Sequence, residues 1–299
     1  LYDFANSCFS AVILTFVFST YVMKSMASTP VQGTAYWSGA MTLSGVIIAI
    51  MAPLSGCWLE LVSRKRALLM ALTFGCVVAT GLLFLARPDA RWLWYALGLV
   101  VFAEVCYELA IIAYNSLLLL VASKENYGRI SGWGWGAGYL GGMIVLALSL
   151  LIVNQGWPSH HDALNVRATT LVCAVWFFLF SLPLFRMLPK RLGAMSKPTS
   201  WSVYFDSLRN TFREILRRKP LFWLLVTRLF AMDGLNTLFA FGGIYAAGTF
   251  GFSMQSVLLF AILLNVTAGI GAFLLGWLDD IFSPLVIIIV SLLGLIVFS

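Results

Sequence analysis

The chain has 299 residues, 61% of them hydrophobic and only 10% charged, with a mean hydropathy of +0.94. A soluble domain usually carries about 25% charged residues, so this composition excludes a soluble globular chain, and it equally excludes the disordered, collagen-like and disulfide-scaffold classes. The 19 Lys and Arg against 12 Asp and Glu give a net charge of +7, which in a membrane chain is explained by membrane side before nucleic acid is considered.

About 20 apolar residues at about 1.5 Å each cross about 30 Å of hydrocarbon. Such runs predict spans 1 to 4 near Phe4 to Met23, Tyr36 to Trp58, Ala67 to Ala86 and Trp92 to Ala122. Spans 5 to 8 follow near Ile130 to Val153, Ala168 to Leu188, Leu221 to Ala247 and Ser256 to Leu278. A ninth begins near Pro284 and is still apolar at Ser299. The expectation is an all-α polytopic membrane protein of about nine spans. Because the chain opens without Met and stops within an apolar run, it reads as trimmed at both ends, and a fragment of this kind is not expected to transport by itself.

Fourteen Lys and Arg fall in the 2–3, 4–5 and 6–7 loops and four in the loops of the other side, with Arg228 left inside span 7. Basic loops stay cytoplasmic, which puts the amino end in the cytoplasm. The 6–7 connection is the one long loop and carries linker residues at Ser196, Lys197 and Pro198. It divides the chain into residues 1–190, a linker 191–219, and residues 220–299. Within the linker Trp201, Tyr204, Phe205, Leu208, Phe212, Ile215 and Leu216 recur at helical spacing beside Arg209, Arg213 and Arg217. That pattern predicts an amphipathic helix at the cytoplasmic lipid surface.

Two short patterns repeat in the same order. Asp3, Asn6 and Ser7 in span 1 match Asp233, Asn236 and Thr237 in span 7, as Asp-x-x-Asn-Ser/Thr. Gly56, Glu60 and Ser63 after span 2 match Gly276, Asp280 and Ser283 after span 8, as Gly-x-x-x-acid-x-x-Ser. Helices six apart with like ends imply two six-helix halves in parallel orientation, the second cut short here, a plan that resembles the major facilitator superfamily. Gly56, Glu60, Arg64 and Lys65 resemble its cytoplasmic signature loop, with Glu60 in place of Asp. The resemblance implies a cytoplasmic gate formed by these residues with Gly276 and Asp280. A basic loop that only sets topology is the rival explanation.

LYDFANSCF at Leu1 to Phe9, AYNSLLL at Ala113 to Leu119, SGWGWGAGYLGG at Ser131 to Gly142, and RLFAMDGLNT with GGIYA between Arg228 and Ala246 resemble a narrower group. They look like the vacuole-effluxer family, the autophagy-related permeases and their bacterial relatives, and short loops favour a bacterial-type member in the plasma membrane, or a vacuolar membrane in a eukaryote. Cys8 stands where the family usually has Ala, and Leu119 where it usually has Pro, which removes the basis for a kink in span 4.

Ionisable side chains inside spans are costly and point to function. Asp233 lies about 18 Å into span 7, with Asn236 and Thr237 on its face, while Arg228 is displaced around the helix and is expected to pair elsewhere or reach the cytoplasmic surface. In span 4, Glu104 and Glu108 share a face that Asn115 continues. Two carboxylates so close in a low dielectric do not both ionise easily, which is a proton-carrier arrangement. Neutralisation of Arg228 by one of them is the plainer alternative. By length, Asp3 falls toward the cytoplasmic edge.

Gly136, Gly138 and Gly141 fit a nucleotide-loop spacing but follow no strand, so close helix packing explains them. His160, His161 and Asp162 lack further ligands, and Cys8, Cys57, Cys76, Cys106 and Cys173 are scattered, so neither a metal site nor disulfides are expected. No cofactor is implied. The reading is a monomeric secondary active transporter that moves a small solute by alternating access past helices 1, 4 and 7. The resemblance implies an amino-acid or related metabolite exporter, with protons as a coupling ion. A non-transporting sensor or an intramembrane enzyme on the same scaffold is the rival.

Overall fold

In hydrocarbon every backbone N–H and C=O must find a partner within the protein, and a helix achieves this inside one segment. The computed structural model describes residues 1–61, 65–121, 127–155, 159, 161–189, 201–282 and 284–298, and among them each long apolar run has become a helix. Helix α1 runs Tyr2–Met26, α2 Pro30–Leu61, α3 Lys65–Leu82, α4 Leu93–Val121, α5 Tyr127–Gln155 and α6 Leu164–Met187. The amphipathic α7 is Trp201–Arg217, followed by α8 Lys219–Gly248, α9 Met254–Ile281 and α10 Pro284–Phe298.

Among the described residues, seven of these, α1 to α6 and α9, are long and apolar enough to cross a membrane. Helix α8 is 30 residues long, with only Arg228 and Asp233 as charged residues past its first position, and α10 shows an apolar stretch at Leu285–Gly294. Several helices outrun their expected limits because polar first turns are helical too. Pro30 opens α2 six residues ahead of Tyr36, since proline suits the first turn, where no N–H partner exists. Pro220 does the same at the start of α8. Only Arg218 separates α7 from α8.

Burial centres on α1. Phe9, Val12, Ile13, Val17 and Phe18 are fully enclosed, and the core extends from them to Cys76, Leu83, Val100, Ala103, Val145, Leu146 and Cys173. Lipid is as apolar as leucine, so such contacts hold by van der Waals packing and close approach rather than by escape from water. The most extensive helix pair is α5 against α9, and small residues make it. A methyl on Gly132 would stand 2.8 Å from the Gly276 Cα, and one on Gly136 would enter the Phe273 ring. The glycines of α5 are therefore contact surfaces. Helix α4 runs unbroken through Leu117 to Val121.

Candidate functional site

Helix α1 is wound unusually. Over Phe9–Phe16 and again over Val22–Met26 it widens to i→i+5 hydrogen bonding, as in Val17 N–H to Val12 C=O at 3.1 Å. Wide turns of this kind are held in place only by surrounding structure and cluster at functional sites. The enclosure comes from α5, α6 and the far half of α8, all packed on α1. Tight contacts make it: Gly141 lies against the Phe4 backbone, Gly243 of α8 against the Thr15 backbone, and the Trp176 indole donates to Phe4 C=O at 3.1 Å.

The first turn of α1 carries the polar residues. Tyr114 of α4 donates to Asp3 at 2.7 Å, while the Tyr2 ring packs on Tyr114 with centroids 4.7 Å apart and its hydroxyl bonds Thr73 at 2.8 Å. A methyl on Gly134 would come within 2.9 Å of the Asp3 carboxylate, and one on Gly138 within 2.6 Å of Ser7 Oγ. The two glycines therefore leave a narrow lane in which Asp3 and Ser7 lie along α5. Asn6 is buried beside them, with Ser7 Oγ 3.4 Å from its side-chain oxygen.

A second polar station lies deeper on α4. Ser44 of α2 donates to Glu104 at 2.5 Å, yet its hydroxyl is also 3.0 Å from Met41 C=O. One hydroxyl has one proton. That proton is therefore shared between Glu104 and Met41 C=O or alternates between them. Glu108 follows one turn later, half-buried, and Tyr107 between them stacks on Phe9 of α1 with centroids 5.0 Å apart. Glu104 and Tyr114 are ten residues apart, about 15 Å along the helix. Asn115 is exposed at the end of the same row.

The α8 residues stand apart from these stations. Arg228, Asp233 and Thr237 are exposed, and Thr237 donates to Asp233 C=O at 2.8 Å. The Asn236 side chain lies outside the described residues. No ion pair joins Arg228 to a carboxylate among the described residues. Of the predicted gate, Gly276 is a backbone contact with α5, Gly56 is open, and Lys65 begins α3 half-buried. Arg64 and the side chains of Glu60 and Asp280 lie outside the described residues.

Helix α8 meets α1 through its far half, where Gly243 lies against the Thr15 backbone. There Lys24 donates to Phe252 C=O at 3.0 Å, and Ile244, Ala246 and Ala247 are buried. At the other end Leu229 and Phe230 are 66% and 71% exposed. Two features escaped the sequence reading. Arg167, counted as an ordinary loop cation, is buried, donates to Phe84 C=O at 2.7 Å and lies 5.0 Å from the Phe84 ring. Cys8 and Cys173, far apart in sequence, place their thiol sulfurs 3.3 Å apart, both as free thiols. Proximity across two helices has no signature in either local segment. No group of three metal-ligating side chains occurs among the described residues.

A buried, widened first helix lined with polar residues and set against glycine-rich neighbours belongs to an all-α polytopic membrane protein of the major facilitator type. The chain belongs to the vacuole effluxer Atg22-like family, which matches residues 20–298 and is a family of transporters rather than enzymes. It is 26% identical to the uncharacterised MFS-type transporter YxiO of Bacillus subtilis over 95% of this chain and 67% of that protein. Similarity to the autophagy-related protein 22-1 of Penicillium rubens is 25% over 52% of this chain, and to autophagy-related protein 22 of Yarrowia lipolytica 25% over 56%. The matched part covers 27% and 32% of those fungal proteins. No solved structure matches.

Proposed function

We propose that the chain is the transporting part of a secondary active carrier that exports a small solute, an amino acid or related metabolite, by alternating access. The observation that carries this reading is the polar-lined α1, wound wide over Phe9–Phe16 and enclosed by α5, α6 and the far half of α8. A polar helix set between the first six helices and α8 lies where a rocking carrier keeps its site. The path runs between Glu104 and Glu108 at mid-depth, Asp3 and Asn6 near the edge, and Asp233, Asn236 and Thr237 across from them, with Arg228 and Asn115 toward the cytoplasm. Amino acids come from the family resemblance, and export from the effluxer name of the family.

Proton coupling is supported by the Ser44 arrangement. Loading a proton on Glu104 completes its hydrogen bonds, while losing it leaves Ser44 to choose between Glu104 and Met41. Glu108, one turn nearer the edge, is the partner through which that proton leaves. The gate of Glu60, Arg64 and Lys65 with Gly56, Gly276 and Asp280 belongs to the same cycle on the cytoplasmic side. The test is counterflow in proteoliposomes with the full-length carrier, across an amino-acid panel, paired with ligand-induced thermal shifts. Saturable exchange of at least one amino acid that also raises the melting temperature is expected. A ligand that stabilises without counterflow assigns a sensor, and no response to any member overturns the substrate class.

A further inference from the structure

Helix α7 carries an apolar surface that no described residue covers. At 100° per residue, Phe205, Phe212 and Leu216 fall within about 40° of one another, and they are 60%, 68% and 56% exposed. The edge bearing Ser207, Leu208 and Ile215 is half-buried, the side on which α7 meets α2. Arg209, Arg213 and Arg217, all exposed, form a row that begins about 20° beyond Leu216 on the other flank. Asp206 interrupts that row, and Glu214 on the opposite side is engaged by Arg218 at 2.7 Å. The cations outnumber the acids from Asp206 to Lys219.

The position of α7 fixes what covers the surface. Only Arg218 intervenes before α8, so the carboxyl end of α7 lies at the mouth of a membrane-directed helix, at the height of the headgroups. Aromatic and leucine side chains entering the acyl boundary, with arginines one step above them, match the layering of an anionic leaflet. We propose that α7 binds anionic phospholipid headgroups through Arg209, Arg213 and Arg217 while Phe205, Phe212 and Leu216 enter the lipid. Because α7 rests on α2 and runs directly into α8, the bound leaflet anchors the joint between the first six helices and α8.

Hydrogen–deuterium exchange of the full chain in nanodiscs tests this, with phosphatidylcholine alone or mixed with phosphatidylglycerol. Amides of α7 are expected to exchange about tenfold or more slowly in the anionic discs. The Arg209→Gln, Arg213→Gln, Arg217→Gln variant is expected to lose that difference and keep the phosphatidylcholine rate. In the unsubstituted chain, high salt is expected to erase the same difference, which keeps the test open if the variant fails to fold. Equal exchange in both discs overturns the proposal. So does a difference that survives the triple substitution or high salt, or inorganic phosphate reproducing it in phosphatidylcholine discs, which assigns a free anion. An acidic soluble protein as the occupant predicts no lipid dependence. None of these readouts needs transport.

Discussion

Gly132→Ala is the sharpest probe of how α5 and α9 are joined. The added methyl would lie 2.8 Å from the Gly276 Cα and 3.1 Å from the Ala272 carbonyl oxygen, where about 3.5–4.0 Å is comfortable. Both obstacles are backbone, so no side chain can rotate away and the helices must part by roughly 1 Å. A gap of that size forfeits about a quarter to a half of each contact's attraction, and overpacking of this kind costs about 1–3 kcal/mol. The expected fall in melting temperature in detergent is therefore roughly 2 to 12 °C. Gly276→Ala meets the same wall from the other side, with Gly132 Cα at 2.9 Å. One displacement relieves both clashes, so the double variant is expected to lose less than the sum of the singles. Gly98→Ala, exposed and with nothing within 4 Å, is the control and is expected to melt no lower than the parent. A Gly132→Ala protein that melts with the parent, or strict additivity in the double variant, refutes the packing argument.

Glu108→Gln is expected to abolish uphill proton-driven flux yet retain exchange of substrate for substrate, measured in proteoliposomes; rescue by neutralising Arg228 would instead make the acid a counter-ion. Ser44→Ala removes the hydroxyl that Glu104 contacts at 2.5 Å, and is expected to move the pH at which flux is half-maximal without abolishing counterflow. Tyr114→Phe strips the 2.7 Å bond from Asp3 and is expected to weaken substrate-induced thermal stabilisation, a buried partner lost to a carboxylate costing about 1.5–3 kcal/mol. Glu60→Gln or Asp280→Asn is expected to raise cysteine accessibility from the cytoplasmic side, and unchanged accessibility in both removes them from the gate.

The helices were legible because apolar runs of membrane length have few other outcomes. The amphipathic α7 followed from the spacing of Phe205, Leu208 and Phe212 beside the arginine row. The role of the α5 glycines followed from their lack of side chains. What the sequence withheld were relations between helices. Nothing near Glu104 names Ser44 as its partner, nothing near Cys8 names Cys173, and Arg167 looks like any loop cation until Phe84 C=O is beside it. The wide winding of α1 was also hidden, since FSAVILTF reads as an ordinary helix and only enclosure by glycine-lined neighbours makes the wider turn tolerable.

That enclosure bears on biogenesis. Of the seven spanning helices α1 is the least apolar and the most completely surrounded by protein, yet its neighbours α5, α6 and α8 follow it in the chain. Until they are made, Asp3, Asn6, Ser7 and Ser10 have only lipid, headgroups or the insertion machinery to face. Helix α1 is thus a poor candidate for early release into the bilayer, and the step that seals it is the arrival of α5 with its run of glycines. Misassembled protein is expected to expose α1 to degradation, which makes the glycine lane a checkpoint in membrane insertion as much as a packing surface.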